Sequence, residues 1–306
     1  MEYDVKSKSK AYFESVRGGF GGLTHVLIAV AVFLLILDAP LDIISDFVEF
    51  VNEDWLFLAC AFLVVVGASL LPDLDNDYST ATLQLGLFGA VVKTFMQTVS
   101  YAFYSVTRLK KDDPRPKSMH RKLFHAPAFG VGLICFAYFG LEPSESSYVD
   151  YLVSNKDDLF YALTSDVAPL VCLVLIYVSA WLGVNNLTYW PFRLLKLNSL
   201  RRYKQSLFVL VAGGVTYFSA TLPLSDLRYM GIAVGLGYLI HILADAFTEG
   251  SVPVIYPIPA FWAGKWWWNP YILGPFQIYT GGVVNKVIDI ALLALNIYLT
   301  LNAFLS

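Results

Sequence analysis

Residues 55–76 read WLFLACAFLVVVGASLLPDLDN. No charge interrupts the run from Trp55 to Leu71; Pro72 then breaks the pattern, and Asp73 and Asp75 follow it. A helix that crosses a bilayer needs about 20 mostly apolar residues, so this stretch reads as a span with carboxylates at its end. The composition agrees. Hydrophobic residues make up 57% of the 306-residue chain and charged residues 15%, whereas a soluble domain carries about 25% charged. An ordinary soluble globule, a disordered chain and a nucleic-acid binder with a basic face are thereby excluded. Cys60, Cys135 and Cys172 all lie in apolar runs, which suits packing and not a disulfide framework or a thiolate zinc site. Residues 1–22 are polar, basic and Gly-rich, unlike a cleavable signal peptide.

Further apolar runs at 23–38, 127–142, 167–184, 206–224, 229–248 and 284–305 bring the expected spans to seven. The stretch 81–106 is interrupted by Gln84, Lys93, Gln97 and Ser100, and a central Lys costs about 2.5–3.5 kcal/mol on insertion scales. Loop charge decides how to treat it. Basic residues cluster in 1–22, in 108–122 (Arg108, Lys110, Lys111, Arg115, Lys117, Arg121, Lys122) and in 193–204, while 38–54 and 142–166 are acidic. The positive-inside rule places the three basic segments in the cytoplasm. That works only if 81–106 is interfacial or re-entrant. With seven spans, only Lys156 and Arg228 of the 21 basic residues fall outside. The expectation is an all-α polytopic protein of the inner (plasma) membrane: one transmembrane domain over 1–306, with a cytoplasmic N-terminal segment 1–22 and a helical membrane part 23–305. Its C-terminus lies outside. Segment 39–54 reads as an amphipathic surface helix, and Trp266–Trp268 as an interfacial belt. No internal repeat is visible, so an inverted-repeat transporter has no support.

The chain has four histidines, His25, His120, His125 and His241, and the Lys/Arg topology puts all of them at the inner face. Asp73 and Asp75 end the second span there. His241 and Asp245 are spaced i, i+4 and project from one helix face. His120 and His125 are five apart, about 140° on a helix, so they cannot share a regular one. Pro127 suits a first helical turn, which leaves His120 in the loop and His125 at the helix start. Seven N/O ligands without sulfur suit Zn²⁺, with Mn²⁺ or Fe²⁺ as alternatives. Seven is too many for one tetrahedral ion and points to two, the arrangement of phosphoesterase centres. Arg121 is placed to contact a phosphate, and Glu249 to act as a base or further ligand. Taken singly, His25 reads as interfacial, an Asp after Pro as a helix cap, and His120 as part of a headgroup patch. The His241/Asp245 pair inside a span is costly and functional by default.

These residues resemble the LexA-regulated, inner-membrane, metal-dependent hydrolase family. Its pattern is Thr-His, Leu-Pro-Asp-x-Asp-His, His-Arg-Gly-x-Thr-His and Gly-Tyr-x-x-His-x-x-x-Asp running into Gly-Val-Pro and Tyr-Pro. The chain carries Thr24-His25, Leu71-Pro72-Asp73-Leu74-Asp75-Asn76, His120-Arg121-Lys122-Leu123-Phe124-His125 and Gly237-Tyr238-Leu239-Ile240-His241-Ile242-Leu243-Ala244-Asp245, then Val252-Pro253 and Tyr256-Pro257. The likeness covers about residues 18–260. Asn76 stands where the family has His, and Lys122 and Phe124 replace its Gly and Thr. The His/Asp pattern is similar in kind to zinc-dependent phospholipase C, an analogy only.

The expected function is a metal-dependent hydrolase of phosphoesters at the cytoplasmic membrane face. His25, Asp73, Asp75, His120, His125, His241 and Asp245 are the expected ligands, with Arg121 and Glu249 in catalytic roles. The cofactor is a divalent metal, with Zn²⁺ favoured and two ions expected. The partner is a membrane lipid or lipid-linked phosphate, held by the basic loops, and no nucleic acid. The alternatives are a metal-ion transporter and a non-catalytic lipid- or metal-binding membrane protein. An intramembrane zincin is disfavoured because His-Glu-x-x-His is absent.

Overall fold

A computed structural model describes residues 22–38, 45–76, 79–107, 123–141, 146–154, 167–194, 201–248, 252 and 283–305. Among them the secondary structure is helical. The elements are α1 (Gly22–Asp38), α2 (Ser45–Glu53), α3 (Trp55–Ala68), a 3-10 turn at Pro72–Asp75, α4 (Thr80–Thr107), a 3-10 turn at Leu123–His125, α5 (Pro127–Gly140), α6 (Tyr148–Ser154), α7 (Val167–Leu194), α8 (Arg201–Thr221), α9 (Leu224–Ala246) and α10 (Val283–Leu305). The protein is an all-α membrane protein.

Among the described residues, four helices are long and apolar enough to cross a membrane: Trp55–Asp75, Val167–Thr188, Leu224–Ala246 and Val283–Asn302. The other three expected spans correspond to shorter apolar helices, Gly22–Asp38, Pro127–Gly140 and Gln205–Thr221. Fourteen residues of α5 rise only about 21 Å against a hydrocarbon core of about 30 Å, which is why the structure supports four full-length spans and not seven. The start of the sixth expected span is also corrected. Residues 224–228, read as a link, form the first turn of α9. The Pro223 carbonyl accepts the Asp226 and Leu227 N–H groups at 2.9 Å and so starts the helix, and Leu227 and Met230 are fully buried, which favours continuing it.

Local chemistry accounts for several boundaries. Asp54 caps α3 by accepting the Leu56 N–H at 2.7 Å. Ser79 caps α4 by accepting the Thr82 N–H at 3.1 Å. Pro127 opens α5, as its fixed φ favours. The amphipathic helix expected at 39–54 is found as α2, with Phe47, Val48 and Val51 buried.

Contacts divide the chain into two compact units. One comprises Ala29–Leu70 and Gly130–Tyr238. Its centre is the packing of α3 on α7. There a Cβ on Gly67 would lie 1.6 Å from the Ser179 carbonyl oxygen, and one on Gly183 would lie 2.3 Å from that of Leu63. Only hydrogen fits at these positions, so the two backbones touch, the usual device for joining helices in a lipid environment.

The other unit comprises Met1–Ile28, Leu71–Phe129 and Leu239–Ser306 and carries the candidate site. Within it α10 is tied to the start of α1 by polar groups. The Thr24 hydroxyl donates to Asp289 Oδ1 at 2.6 Å. Asn285 Nδ2 donates to Thr24 Oγ1 and to Asp289 Oδ2, each at 3.3 Å. Asn296 Nδ2 donates to the Leu27 carbonyl at 3.0 Å. The rest of α10 exposes Val287, Ile290, Leu293, Ile297 and Leu301.

Helix α4 is bent. Gly86 has φ 55° and ψ −125°, a backbone state open in practice to glycine alone. Beyond it a Cβ on Gly89 would lie 2.4 Å from the Thr82 carbonyl oxygen, although a straight helix would separate these residues by about 10 Å along its axis. The two arms, 80–85 and 87–107, therefore fold toward each other.

Candidate metal centre

Six of the expected ligands are described, and the fold brings them to one place. His25 lies on the first turn of α1. Asp73 and Asp75 lie on the 72–75 turn. His125 ends the 123–125 turn, and His241 and Asp245 occupy adjacent turns of α9. Three of these positions follow from local rules: Pro72 starts a 3-10 turn that cannot continue α3, Pro127 restarts the helix just after His125, and the i, i+4 spacing stacks His241 over Asp245.

The distances define the arrangement. Asp73 Oδ1 lies 3.8 Å from both His125 Nε2 and His241 Nε2. Asp245 Oδ2 lies 3.6 Å from His241 Nε2 and 3.8 Å from His125 Nε2. Its other oxygen, Oδ1, lies 3.5 Å from His25 Nε2. The His25 and His241 rings stack with centroids 3.8 Å apart, and the His125 ring meets His241 edge-on. Two overlapping sets result, His25/His241/Asp245 and Asp73/His125/His241, and in each the donor atoms lie within 4.8 Å of one another.

Asp75 falls in neither set. Its Oδ2 sits 3.6 Å from His125 Nδ1, the nitrogen facing away from Asp73 and Asp245. A carboxylate on the second nitrogen of a metal-binding imidazole fixes its tautomer and ring orientation. Asp75, expected as a ligand, stands outside both sets, at the far nitrogen of His125. His120, Arg121 and Glu249 lie outside the described residues, as do Trp266–Trp268.

Burial sets the electrostatics. His125, His241, Asp75 and Asp245 are fully buried and His25 is 1% exposed; Asp73 alone opens outward, with its side chain 16% exposed. Three carboxylates withdrawn from water demand positive charge. The His125 imidazole registers this. Burial alone would push its pKa down, but Asp75, then Asp73 and Asp245, outweigh that and raise it to about 9. A divalent cation would meet the same demand. The nearest His–Asp donor separations, 3.5–3.8 Å, slightly exceed the roughly 3.3–3.4 Å edge of a tetrahedron with zinc–ligand bonds of about 2.0–2.1 Å, and the whole of each set lies within 4.8 Å. The buried His/Asp groups could therefore hold a metal ion after contracting around it.

Helix α4 braces the turn that carries the two aspartates. Thr82 Oγ1 donates to the Leu74 carbonyl at 3.2 Å, and Gln97 Nε2 donates to the Asp75 carbonyl at 2.8 Å. In the sequence Gln97 reads only as an interruption of an apolar run, and Asn285 and Asp289 lie unmarked in the last one. The available signal was polarity inside an apolar helix. Phe124, where the resemblance would have Thr, packs edge-on against Phe129 with centroids 4.7 Å apart.

An all-helical membrane unit with a buried His/Asp cluster is the class of protein this geometry defines. The chain belongs to the YdjM inner membrane protein family, whose model matches residues 20–305. No curated protein and no solved structure matches it.

Proposed function

We propose that the protein is a membrane-bound metal-dependent hydrolase acting on a phosphoester of a lipid or lipid-linked phosphate at the cytoplasmic face. One observation carries this reading: four separate chain segments bring six buried or nearly buried His and Asp side chains together, with neighbouring His nitrogens and Asp oxygens 3.5–3.8 Å apart. A cation bound there supplies an activated water and a Lewis acid for phosphoryl oxygens. Asp73, His125, His241 and Asp245 hold it. Asp245 turns its second oxygen to His25, which gives a second ion a place and favours two. Asp75 keeps His125 Nδ1 protonated and Nε2 directed inward. Donors limited to nitrogen and oxygen favour Zn²⁺, with Mn²⁺ or Fe²⁺ as alternatives. Asp73, on the outward-facing side, borders the approach for substrate and water. Arg121 and the basic residues of 108–122 hold the anionic headgroup, and Glu249 serves as a base.

The topology belongs to the same reading: the three shorter apolar helices cross beside the four long ones, the bilayer thinning locally to meet them, with the N-terminus inside and the C-terminus outside. Asp73 and His125 lie 3.8 Å apart, so the chain between them leaves and returns to one level. That supports a re-entrant α4 rather than an eighth crossing. The contacts Thr24–Asp289 and Leu27–Asn296 advance in the same chain direction along α1 and α10, as two helices that both run outward require.

The near-complete burial of five of the six residues favours one alternative, a closed structural metal in a non-catalytic lipid-binding protein. The two readings separate on activity. Elemental mass spectrometry of detergent-purified protein should find about two equivalents of metal, lost in His241→Ala and Asp73→Ala. Phosphodiesterase activity on lipid substrates should fall with the metal. Bound metal without any such activity would favour the structural site. No bound metal after metal-replete expression would sink the metal-centre reading.

A further inference from the structure

We infer that Gln97 is a positioning residue of the metal centre: its amide, reaching from the long arm of α4, sets the 72–75 turn and through it the affinity of the site. The inference rests on the metal-site reading above and adds a residue outside the ligand set. The 72–75 turn is only four residues long, too short to hold its geometry alone. Its internal bonds use the Leu71 and Asp73 carbonyls, which accept the Leu74 and Asn76 N–H groups. The Leu74 and Asp75 carbonyls are taken up by α4 instead, by Thr82 at 3.2 Å and Gln97 at 2.8 Å.

These two donors sit fifteen positions apart, about 22 Å along a straight helix, yet they reach adjacent carbonyls. Only the bend at Gly86 allows it. Thr82 comes from the short arm and Gln97 from the long arm, so the bent helix grips the turn from two sides. From the Asp75 carbonyl the chain of contacts is short. The Asp75 carboxylate faces His125 Nδ1 at 3.6 Å, and His125 Nε2 faces Asp73 and Asp245 at 3.8 Å. Displacing the Asp75 backbone therefore moves one carboxylate of the site and rotates one imidazole. The Gln97 hydrogen bond is to backbone and not to a ligand atom.

The test uses the full-length protein in detergent, with Co²⁺ and Zn²⁺ as probes. Gln97→Met keeps length and removes the donor; Gln97→Glu keeps shape and presents oxygen where the carbonyl needs N–H. Loss of an outer partner of a metal site costs about 10–100-fold in affinity, and that weakening is expected in both variants by chelator competition. The visible Co²⁺ bands should also shift, since they report ligand geometry and not global stability. Ser100→Ala, one turn further along α4, should leave both unchanged. Wild-type affinity and an unaltered Co²⁺ spectrum in either folded Gln97 variant would overturn the inference while leaving the metal centre intact. Failure of both variants to fold would also overturn it, because a purely structural role would then suffice. Wild-type protein that binds neither ion would instead count against the metal-site reading itself.

Discussion

Asp73 and Asp75 are two residues apart and carry the same charge, yet they face opposite sides of one imidazole. Asp73 Oδ1 approaches His125 Nε2, and Asp75 Oδ2 approaches His125 Nδ1. Their amide variants should therefore behave differently. In the proposed centre Asp73→Asn removes a ligand and should abolish stoichiometric metal. Asp75→Asn should leave the metal bound but weaken it about 10–100-fold, as loss of an orienting carboxylate does. Chelator competition distinguishes the two, and equal loss in both would make Asp75 a ligand after all. His125 adds a pH signature. Its pKa rises from 6.5 to about 9 in the folded protein, so the stability it contributes is fully present below about pH 6.5 and is lost as pH rises toward 9. Chelator-stripped protein should show a thermal midpoint that declines across that window. Metal-loaded protein should show a flatter profile, because a cation replaces the proton at His125. Parallel profiles for the two forms would contradict the assignment of His125 as a ligand.

At the scale of elements, α4 is where sequence and structure part most instructively. Its polar residues marked it as no ordinary span, and the structure places Gln97 of that set on the site. The bend itself was not legible. Glycines are common in membrane helices, and nothing local separates Gly86, with φ 55°, from Gly132, which has open space around it. The bend is chosen by the long-range contacts of Thr82 and Gln97 with the 72–75 turn. By contrast, His241 and Asp245 could be paired from spacing alone, since an i, i+4 relation is local. The position of Asp75 at His125 Nδ1 could not, because no spacing tells which imidazole nitrogen a carboxylate faces. Substitutions test the bend. Gly86→Ala has room for its methyl group but not the backbone conformation, and should cost about 1–3 kcal/mol. Gly89→Ala puts a Cβ 2.4 Å from the Thr82 carbonyl oxygen and should also loosen the Thr82–Leu74 bond, lowering metal affinity as well as stability. Gly132→Ala, in a helix and unobstructed, should be neutral or stabilising by up to about 1 kcal/mol. Equal midpoints for all three would show that α4 tolerates straightening.

At the scale of the whole molecule, the distribution of charge and the location of the site make one demand together. The seven basic residues of 108–122 follow α4, and His125 follows them. If α4 crossed the membrane, those charges would lie outside, against the positive-inside rule, and His125 would stand a bilayer away from Asp73. The 3.8 Å separation of the two conflicts with that, and so does the bend at Gly86. Reporter fusions decide it cleanly, because an added crossing reverses every later loop. A reporter active only in the cytoplasm should work when joined after residue 113 and fail after residue 306, while one active only outside should do the opposite. Activity of the outside reporter at 113 and of the cytoplasmic reporter at 306 would make α4 a full span. Asp73 and His125 would then have to meet across the bilayer, which two side chains 3.8 Å apart cannot do.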